Sequence, residues 1–387
     1  MRVPFDAEPF TVAVPDAVLA DLRERLARAR WPIEAAAPPW RWGTSLAYLQ
    51  RVVERWRDGY DWRHWERRLN RWPQYRARVG GQRLHFILER GSGPHPLPLV
   101  ITHGWPGSVV EFLDVIDPLA HPERHGGDVA DAFTVIAPSL PGYGFSDAPA
   151  APITPRQVAG LWRELMVDVL GCPRYGAQGG DWGAVVSSWL ALDHPAEVAA
   201  IHLNMVGLRP WLGEGTPPLE VEERQWIARA QEWRARESAY QQIQGTKPQT
   251  LAYGLTDSPV GLAGWILEKF QGWTVPGSEE PPPFDVDVLL TNVMLYWLNG
   301  INASTWLYCS IIDGTAAALA KGERVEVPTG LLLFPSDLLA APPDQWVRRV
   351  YNVAHRRTAE RGGHFAALER GAELVADVRA FFRPYRA

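Results

Sequence analysis

One carboxylate in this chain stands where a nucleophile would be expected. Asp181 lies in the stretch YGAQGGDWG, residues 175–183, and an apolar run follows at 184–186. Small residues around a single nucleophile at a strand-to-helix turn are typical of a nucleophile elbow, which usually carries serine. A carboxylate there would attack an sp³ carbon bearing a strained or good leaving group and form an ester. The alternative is a turn aspartate that caps a helix.

A second carboxylate and a histidine follow along the chain. Asp337 closes the stretch FPSD after an apolar strand, and His364 lies in the glycine-rich stretch RGGHF. A histidine can activate water against an ester, while an acid holds its tautomer. The order nucleophile, acid, histidine is that of α/β hydrolases. Singly, these residues could be a loop histidine and a turn aspartate, with Asp344 as a competing acid. Together they predict a catalytic triad with Asp181.

The stretch HGWPGS, residues 103–108, follows a predicted strand and resembles an oxyanion loop. In α/β hydrolases one oxyanion-binding N–H comes from the loop after this strand, and the other comes from the residue after the nucleophile. We therefore predict that the backbone amides of Trp105 and Trp182 stabilise the tetrahedral intermediate of ester hydrolysis. His103 is interpreted as a structural loop residue.

A near match to the serine elbow occurs at residues 144–148, GFSDA. It follows a loop, and no helix with a buried face begins there. Ser146 is therefore interpreted as structural.

Short apolar strands alternate with helices from residue 97 onward, which is typical of a mostly parallel sheet. The pattern predicts strands at 83–88, 97–102, 133–137, 175–179, 198–203, 325–334 and 350–353. It predicts helices within 11–30, with Pro15 and Asp16 in the first turn, and at 46–69, 219–243, 259–270, 286–299 and 371–383. Because no strand pattern occurs for more than a hundred residues after Met205, we expect a helical lid over the strand carboxyl ends, where ligands bind in open α/β sheets.

Composition excludes several classes of function. The chain has 387 residues and a net charge of −5 at pH 7, with 46% hydrophobic and 21% charged residues. These are the values of a globular protein with no overall attraction to nucleic acid or anionic membranes. Cys172 and Cys309 form neither a disulfide framework nor a metal-binding spacing, which favours a reducing, cytoplasmic location. The first ten residues lack the pattern of a signal peptide, and no apolar run reaches the roughly 18 residues of a membrane span.

Aromatic residues alternate with seven arginines between residues 62 and 83. Such a pattern can bind nucleic acid. The chain as a whole is acidic, with 44 carboxylates, so we interpret these arginines as solvated side chains that pair with carboxylates, and we expect no nucleic-acid partner.

Taken together, the motifs resemble the microsomal-type epoxide hydrolases. The resemblance covers nearly the whole chain and rests on the stretches VPDAVLADLRERLARARWP, YDWRHWERRLNRWPQY, HGWPGS, LPGYGFSD, QGGDWG, TKPQTLAYGLTDSPVGLAGWILEKF, LLTNVMLYW and RGGHFAALE. It implies an α/β-hydrolase fold with a mostly parallel central sheet, a helical lid insertion and an N-terminal wrapping segment. The predicted divisions are 1–95 for the N-terminal epoxide-hydrolase segment, 96–205 and 321–387 for the two parts of the hydrolase core, and 206–320 for the lid.

The resemblance also implies two lid tyrosines that hold and protonate the epoxide oxygen. A tyrosine O–H donates at neutral pH and offsets charge on a developing alkoxide. The motif positions correspond to Tyr240 and Tyr308, with Tyr296 as the alternative to Tyr308.

The resulting prediction is an epoxide hydrolase that works without cofactor or metal. Asp181 would attack an epoxide carbon, and His364 with Asp337 would activate water to release a vicinal diol. We expect an apolar or aryl epoxide as the small-molecule partner and no membrane partner, and a homodimer stays open. Lysine occurs at only three positions, as in proteins of GC-rich bacterial genomes, which favours secondary-metabolite tailoring or detoxification.

Two other functions compete with this prediction. A haloalkane dehalogenase also uses an aspartate elbow, and Trp182 would suit its halide site. A non-catalytic ligand-binding protein on the same scaffold would not need the triad.

Overall fold

The computed structural model describes residues 7–386. Residues 1–6 and residue 387 lie outside this range. The predicted N-terminal segment and the stretch in which a signal peptide would occur both include residues 1–6. The strands are Ala7–Phe10 (β1), Gln74–Val79 (β2), Gln82–Glu89 (β3), Leu97–Thr102 (β4), Phe133–Pro138 (β5), Tyr175–Gly179 (β6), Val198–Leu203 (β7), Val325–Leu333 (β8) and Tyr351–Thr358 (β9). The helices are Asp16–Ala27 (α1), Leu46–Asp58 (α2), Trp62–Leu69 (α3), Ile116–Ala120 (α4), Pro155–Arg163 (α5), Trp182–Asp193 (α6), Val221–Glu237 (α7), Ala239–Thr246 (α8), Pro248–Asp257 (α9), Pro259–Gly272 (α10), Val286–Asn299 (α11), Cys309–Ile312 (α12), Asp344–Val350 (α13) and Ala366–Phe382 (α14).

All nine strands form one sheet in the order β1-β2-β3-β5-β4-β6-β7-β8-β9. Strands β1, β2 and β3 pair antiparallel with each other, and β3 is antiparallel to β5. Strands β4 to β9 pair parallel. Every residue of β5, β6 and β7 is buried. Strands covered by helices on both faces are apolar without alternation, which is why this part of the sheet was visible in the sequence. The predicted α/β-hydrolase fold with a mostly parallel sheet is confirmed.

The chain reverses its direction of travel across the sheet between β4 and β6. It leaves β4 toward β5 on one side and leaves β6 toward β7 on the other. The last residues of the two strands, Thr102 and Gly179, are paired neighbours. In open α/β sheets such a switch point opens a crevice beyond the strand carboxyl ends. The loop of residues 103–108 and the turn that carries Asp181 therefore begin side by side.

Helices α7 to α12 lie between β7 and β8 in the chain and form the lid. Helix α8 packs closely on the short 3₁₀ helix Ala303–Tyr308. A Cβ atom on Gly245 would lie 2.7 Å from the carbonyl oxygen of Tyr308, so the two segments can approach because this residue has no side chain.

The N-terminal helices pack on the lid. The hydroxyls of Tyr60 and Thr291 share a buried 2.8 Å hydrogen bond, and the Thr44 hydroxyl donates to the Gly264 carbonyl at 2.6 Å. Because β1 to β3 extend the sheet while α1 and α2 contact α10 and α11, the N-terminal segment ties the lid to the core.

Arginines of the aromatic-rich stretch pair with carboxylates. Arg63 contacts Glu66 at 2.7 Å, and Arg68 contacts Asp114 at 2.5 Å. Trp65 is buried, and the Arg68 guanidinium lies 4.7 Å from the centre of its ring. Arg63 and Arg68 thus form ion pairs and a ring contact within the protein.

Some boundaries of helices and strands were predicted wrongly. The predicted helix 46–69 is two helices broken at 59–61, and the helix 219–243 is broken at Ser238, where a new helix begins. Helix α14 spans Ala366–Phe382 but is kinked at Arg370, where φ is −138° and ψ is 37°, so the predicted start at 371 marks the part after the kink. The strand near 350–353 is the longer β9; it lies at the sheet edge, so its polar side chains hid it. The division of the chain into four stretches stays a prediction.

Among residues 7–386, no helix is both long and apolar enough to cross a bilayer.

Candidate active site

Asp181 sits in a sharp turn that presents its carboxylate instead of capping the helix. Its backbone angles are φ 48° and ψ −128°, and its side chain accepts no capping hydrogen bond from α6. A non-glycine residue in this region is strained and is held there by its surroundings. Cβ atoms on Gly179 and Gly183 would lie 2.2 Å and 1.9 Å from neighbouring backbone atoms, so the turn requires these glycines. The helix-cap interpretation is therefore wrong.

The loop after β4 holds one oxygen of this carboxylate. The Trp105 backbone N–H donates to Asp181 Oδ1 at 2.8 Å. A lid helix fixes the loop, since the Asn292 side chain donates to the Pro106 carbonyl at 2.7 Å and the Tyr296 hydroxyl donates to the Gly107 carbonyl at 2.6 Å. The lid therefore positions the oxyanion loop as well as covering it.

The predicted triad residues meet at one point. His364 Nδ1 lies 2.7 Å from Asp337 Oδ1, and His364 Nε2 lies 3.3 Å from Asp181 Oδ2. The loop that carries the histidine is held by backbone bonds, with the His364 N–H donating to the Trp273 carbonyl and the Ser336 N–H to the Gly362 carbonyl, both at 3.0 Å. The imidazole thus bridges the two carboxylates.

The charge state of His364 follows from these two neighbours. Burial alone would lower its pKa, but the carboxylates of Asp337 and Asp181 outweigh burial and raise the pKa of His364 to about 10. In the resting protein the ring is therefore an imidazolium between two carboxylates at neutral pH.

Asp181 lines two cavities of very different size. The larger one, of about 370 Å³, is lined mainly by apolar and aromatic side chains of the lid and core, including Trp182 and Trp233. The smaller one, of about 20 Å³, is lined by His364 and Glu111 as well as Asp181. A pocket of a few hundred Å³ suits a small organic ligand, whereas the smaller cavity has room for about one water.

Two lid tyrosines face the larger cavity next to Asp181. Tyr240 begins α8 and Tyr308 ends the 3₁₀ helix of the lid, and both line this cavity. The Trp105 ring stacks on Tyr240 at 5.3 Å and meets Tyr308 edge-on at 5.7 Å. Burial, together with the Asp181 charge, raises the pKa of both hydroxyls above the ordinary tyrosine value. They stay protonated and can donate hydrogen bonds.

Tyr296, the alternative to Tyr308, has a different environment. Its hydroxyl donates to the Gly107 carbonyl, and its ring packs against Tyr143 at 5.9 Å. It is absent from the lining of the 370 Å³ cavity. The geometry thus brings Tyr308, and not Tyr296, to the nucleophile.

Comparisons with known proteins agree with this geometry. Residues 7–112 match the family model described as epoxide hydrolase N terminus, and residues 98–241 match the α/β-hydrolase fold model. A Stigmatella aurantiaca protein is 43% identical over 98% of this chain and 85% of its own length. Epoxide hydrolase 1 of Sus scrofa is 34% identical over 96% of this chain and 88% of its own length. The chain belongs to the epoxide hydrolase family.

Solved epoxide hydrolases share the whole architecture. The Aspergillus niger epoxide hydrolase superposes with a TM-score of 0.85 at 30% identity and covers 99% of both chains. The juvenile hormone epoxide hydrolase of Bombyx mori gives the same TM-score and identity over 98% of this chain and 95% of its own. The chain is thus an epoxide hydrolase, a hydrolase of the α/β-hydrolase fold.

The sequence pattern led to the interpretation of His103 and Ser146 as structural residues, and their environments agree with it. His103 is buried and fully engaged, with Nδ1 3.0 Å from the Gly104 carbonyl and Nε2 accepting from the Leu140 N–H. Burial lowers the pKa of His103 to about 4. Ser146 is buried, and its hydroxyl donates to the Ser139 carbonyl at 2.8 Å. Both residues are structural in this fold.

The predicted second oxyanion donor is the backbone amide of Trp182. Within residues 7–386, no hydrogen bond joins the Trp182 backbone N–H to the Asp181 carboxylate. The Trp105 amide alone holds Oδ1 in this state, so the second oxyanion donor stays a prediction.

Sequence reasoning missed two acids beside the triad. Glu369 accepts from the backbone N–H groups of Gly363 and Phe365, at 2.8 and 2.9 Å, and so shapes the histidine loop. Glu111 lines the smaller cavity. The signal for Glu369 was an acid in the first turn of the helix after RGGHF, where carboxylates meet free amides.

No group of three or more potential metal ligands occurs within the described residues 7–386.

Proposed function

We propose that this epoxide hydrolase works through a covalent ester on Asp181. The Trp105 amide engages Asp181 Oδ1, so the attacking oxygen is Oδ2, which gives up its 3.3 Å contact with His364 Nε2 as it bonds to an epoxide carbon in the larger cavity. Tyr240 and Tyr308 donate to the epoxide oxygen and offset the developing alkoxide charge. The epoxide C–O bond breaks as the ester bond forms, one tyrosine gives its proton to the ring oxygen, and the proton that the His364 imidazolium loses restores that tyrosine. The product of this step is a hydroxyalkyl ester of Asp181.

The second step hydrolyses that ester. His364 takes a proton from water, Asp337 stabilises the imidazolium, and the water oxygen bonds to Asp181 Cγ. The negative charge of the tetrahedral intermediate falls on Oδ1, which the Trp105 and Trp182 amides would bind. Collapse breaks the bond to the alkyl oxygen and releases a vicinal diol.

The observation that carries this proposal is the position of Asp181 between two groups of different chemistry. Protonated tyrosine hydroxyls line the larger cavity, whereas His364, paired with Asp337 through Nδ1, lines the smaller one and contacts Asp181 through Nε2. Acid groups for ring opening and a base for ester cleavage thus meet at one carboxylate.

The breadth and lining of the larger cavity support an apolar or aryl epoxide as the substrate class. Trp182, Val185, Met205 and Trp233 contribute apolar surface to a volume of about 370 Å³. Such substrates suit either secondary-metabolite tailoring or detoxification.

Styrene oxide provides the test. The wild-type protein should convert it to the diol, and Asp181→Ala should abolish turnover. His364→Gln should instead accumulate protein whose mass has increased by that of one epoxide. Diol formation by Asp181→Ala would contradict the proposal.

Dehalogenation is the one competing activity with a structural feature in its favour. The Trp182 side chain lines the larger cavity, and its buried indole N–H, beside the Tyr308 hydroxyl, is a donor that would suit a halide. Chloride release from 1-chlorohexane without diol formation from styrene oxide would favour that activity.

We also propose a reducing, cytoplasmic location, because two cysteines in 387 residues are too few for the disulfide framework of a secreted protein. Fractionation of cells that express the chain natively would check this, and recovery from the medium would contradict it.

A further inference from the structure

The smaller cavity beside Asp181 is enclosed by groups that the proposed mechanism does not yet use. It has a volume of about 20 Å³ and is lined by Asp181 and His364 on one side and by Glu111 on the other, with Gln178 and Asn204 from the sheet. One buried water needs roughly 10–15 Å³ of such space and two to four polar partners. The cavity therefore has the size and the lining of a site for a single water.

Glu111 is brought to this cavity by the oxyanion loop. It lies in the 3₁₀ helix Val109–Phe112, which the Ser108 side chain caps. A Cβ atom on Gly107 would lie only 1.6 Å from Glu111 Oε1, and one on Gly104 would lie 2.2 Å from Asp181 Oδ1. Two glycines of one loop thus make room for two carboxyl groups.

The Glu111 carboxyl has no side-chain partner within the part of the chain that the structure describes. Among residues 7–386, no side chain donates a hydrogen bond to it and no cation forms an ion pair with it. Burial raises the pKa of Glu111 to about 8, although the nearby His364 charge opposes the shift. At neutral pH the group is mainly an uncharged acid; it accepts one hydrogen bond from the Ser108 backbone, and its remaining acceptor capacity borders the cavity.

We propose that this cavity binds the hydrolytic water and that Glu111 is its second partner, opposite His364. The inference rests on the proposed function. The water donates one hydrogen to His364 Nε2 and the other to the Glu111 carbonyl oxygen, and its lone pair points at Asp181 Cγ. As the water oxygen bonds to Cγ, His364 takes the proton, and this proton leaves with the diol oxygen when the ester bond breaks. Glu111 holds the water and takes no proton.

The position of this water explains why two cavities are needed. The alkylated Asp181 fills its side of the larger cavity with the substrate, so water must approach Cγ from the other face. The smaller cavity borders both Asp181 and the base, so we place the approaching water there. Glu111 therefore acts on ester hydrolysis and leaves alkylation alone.

Rapid-quench kinetics with styrene oxide at pH 7 separate the two steps. Intact-protein mass spectrometry measures the formation and decay of alkylated enzyme. For Glu111→Leu we expect an alkylation rate within about twofold of wild type and hydrolysis slower by at least about tenfold, the effect of one lost hydrogen bond. Glu111→Gln keeps an acceptor oxygen and should hydrolyse the ester within about fivefold of wild type.

A second variant covers the case in which Glu111→Leu does not fold. Ala367→Val narrows the same cavity from α14 and leaves Glu111 intact; it too should slow hydrolysis and spare alkylation. Hydrolysis at the wild-type rate in the folded variants, or an equal slowing of both steps, would overturn the assignment of Glu111. Diol formation by wild type with no alkylated enzyme at any time would instead contradict the covalent mechanism itself.

Discussion

His364 must change its protonation state within one turnover. In the resting enzyme it is an imidazolium between Asp337 and Asp181, with a pKa of about 10. Such a ring cannot accept a proton at pH 7. Forming the ester removes the negative charge of Asp181, and the pKa of His364 then falls, because one of its two anionic neighbours is gone. Alkylation therefore switches the histidine into a base at the moment when a base is needed.

This switch can be measured directly. Asp181→Asn removes the same charge that the ester removes, so the pKa of His364 should be lower in this variant than the value of about 10 in the wild type. Nitrogen-detected NMR titration of the imidazole measures both values, and His103, with its pKa near 4, gives a neutral reference in the same spectra. Equal midpoints in the two proteins would contradict the switch.

The same raised pKa has a consequence for stability. The pKa of a histidine in the unfolded chain is about 6.5, so the stabilisation is fully present below that pH and is lost as pH rises toward 10. The free energy of unfolding of the wild type, compared with that of His364→Gln, should decline between pH 7 and 10.

The two lid tyrosines provide a matched comparison. Tyr308→Phe removes a hydroxyl that lines the substrate cavity, and we expect alkylation to slow by about 10² or more. Tyr296→Phe removes a hydroxyl that donates to Gly107, so the main effect should be a loss of about 1 kcal/mol of stability. Rapid-quench rates and urea unfolding measure these effects. Equal slowing of alkylation in both variants would remove the basis for assigning Tyr308.

At the scale of elements, the strained turn before α6 depends on its glycines. A Cβ atom on Gly183 would lie 1.9 Å from the Thr102 carbonyl oxygen, whereas one on Gly160 in α5 would meet no atom within 4 Å. Gly183→Ala should therefore cost about 1–3 kcal/mol and displace the nucleophile. Gly160→Ala should stabilise the protein by about 0.5–1 kcal/mol. Chemical denaturation tests the pair, and a Gly183→Ala protein as stable and active as wild type would show that the turn is not tight.

The same turn shows how far the sequence could predict structure. The turn could be predicted from the small residues around Asp181. The buried strands β4, β6 and β7 could be predicted because buried parallel strands carry few polar residues. Strands β1 and β2 were missed, because the first has only four residues and the second, QYRARV, is largely polar. Local patterns also could not show that Glu111, four residues beyond Gly107, would face Asp181, because only the packed loop brings them together.

At the scale of the whole molecule, the N-terminal segment and the lid act on the site together. Helix α11 contacts α2 on one face and holds the oxyanion loop through Asn292 on another. The N-terminal segment thus supports the oxyanion loop through a lid helix.

Removing one tie between these parts should have a modest, measurable cost. Tyr60→Phe deletes the buried hydrogen bond to Thr291, and we expect a loss of about 0.5–1.5 kcal/mol. The more exposed pair Arg55–Asp287 joins α2 to α11 nearby, and Arg55→Gln should cost at most about 1 kcal/mol. Thermal unfolding compares the two variants, and a larger loss from Arg55→Gln would show that the buried bond is not the main tie.

The covalent ester on Asp181 is the central claim, and a single turnover in ¹⁸O-labelled water tests it most directly. With enzyme in excess over styrene oxide, the first diol should contain no label, because its new oxygen comes from the Asp181 carboxylate. The label should appear in the peptide that contains Asp181, which mass spectrometry can locate. Label in the first diol, with none in that peptide, would contradict the account.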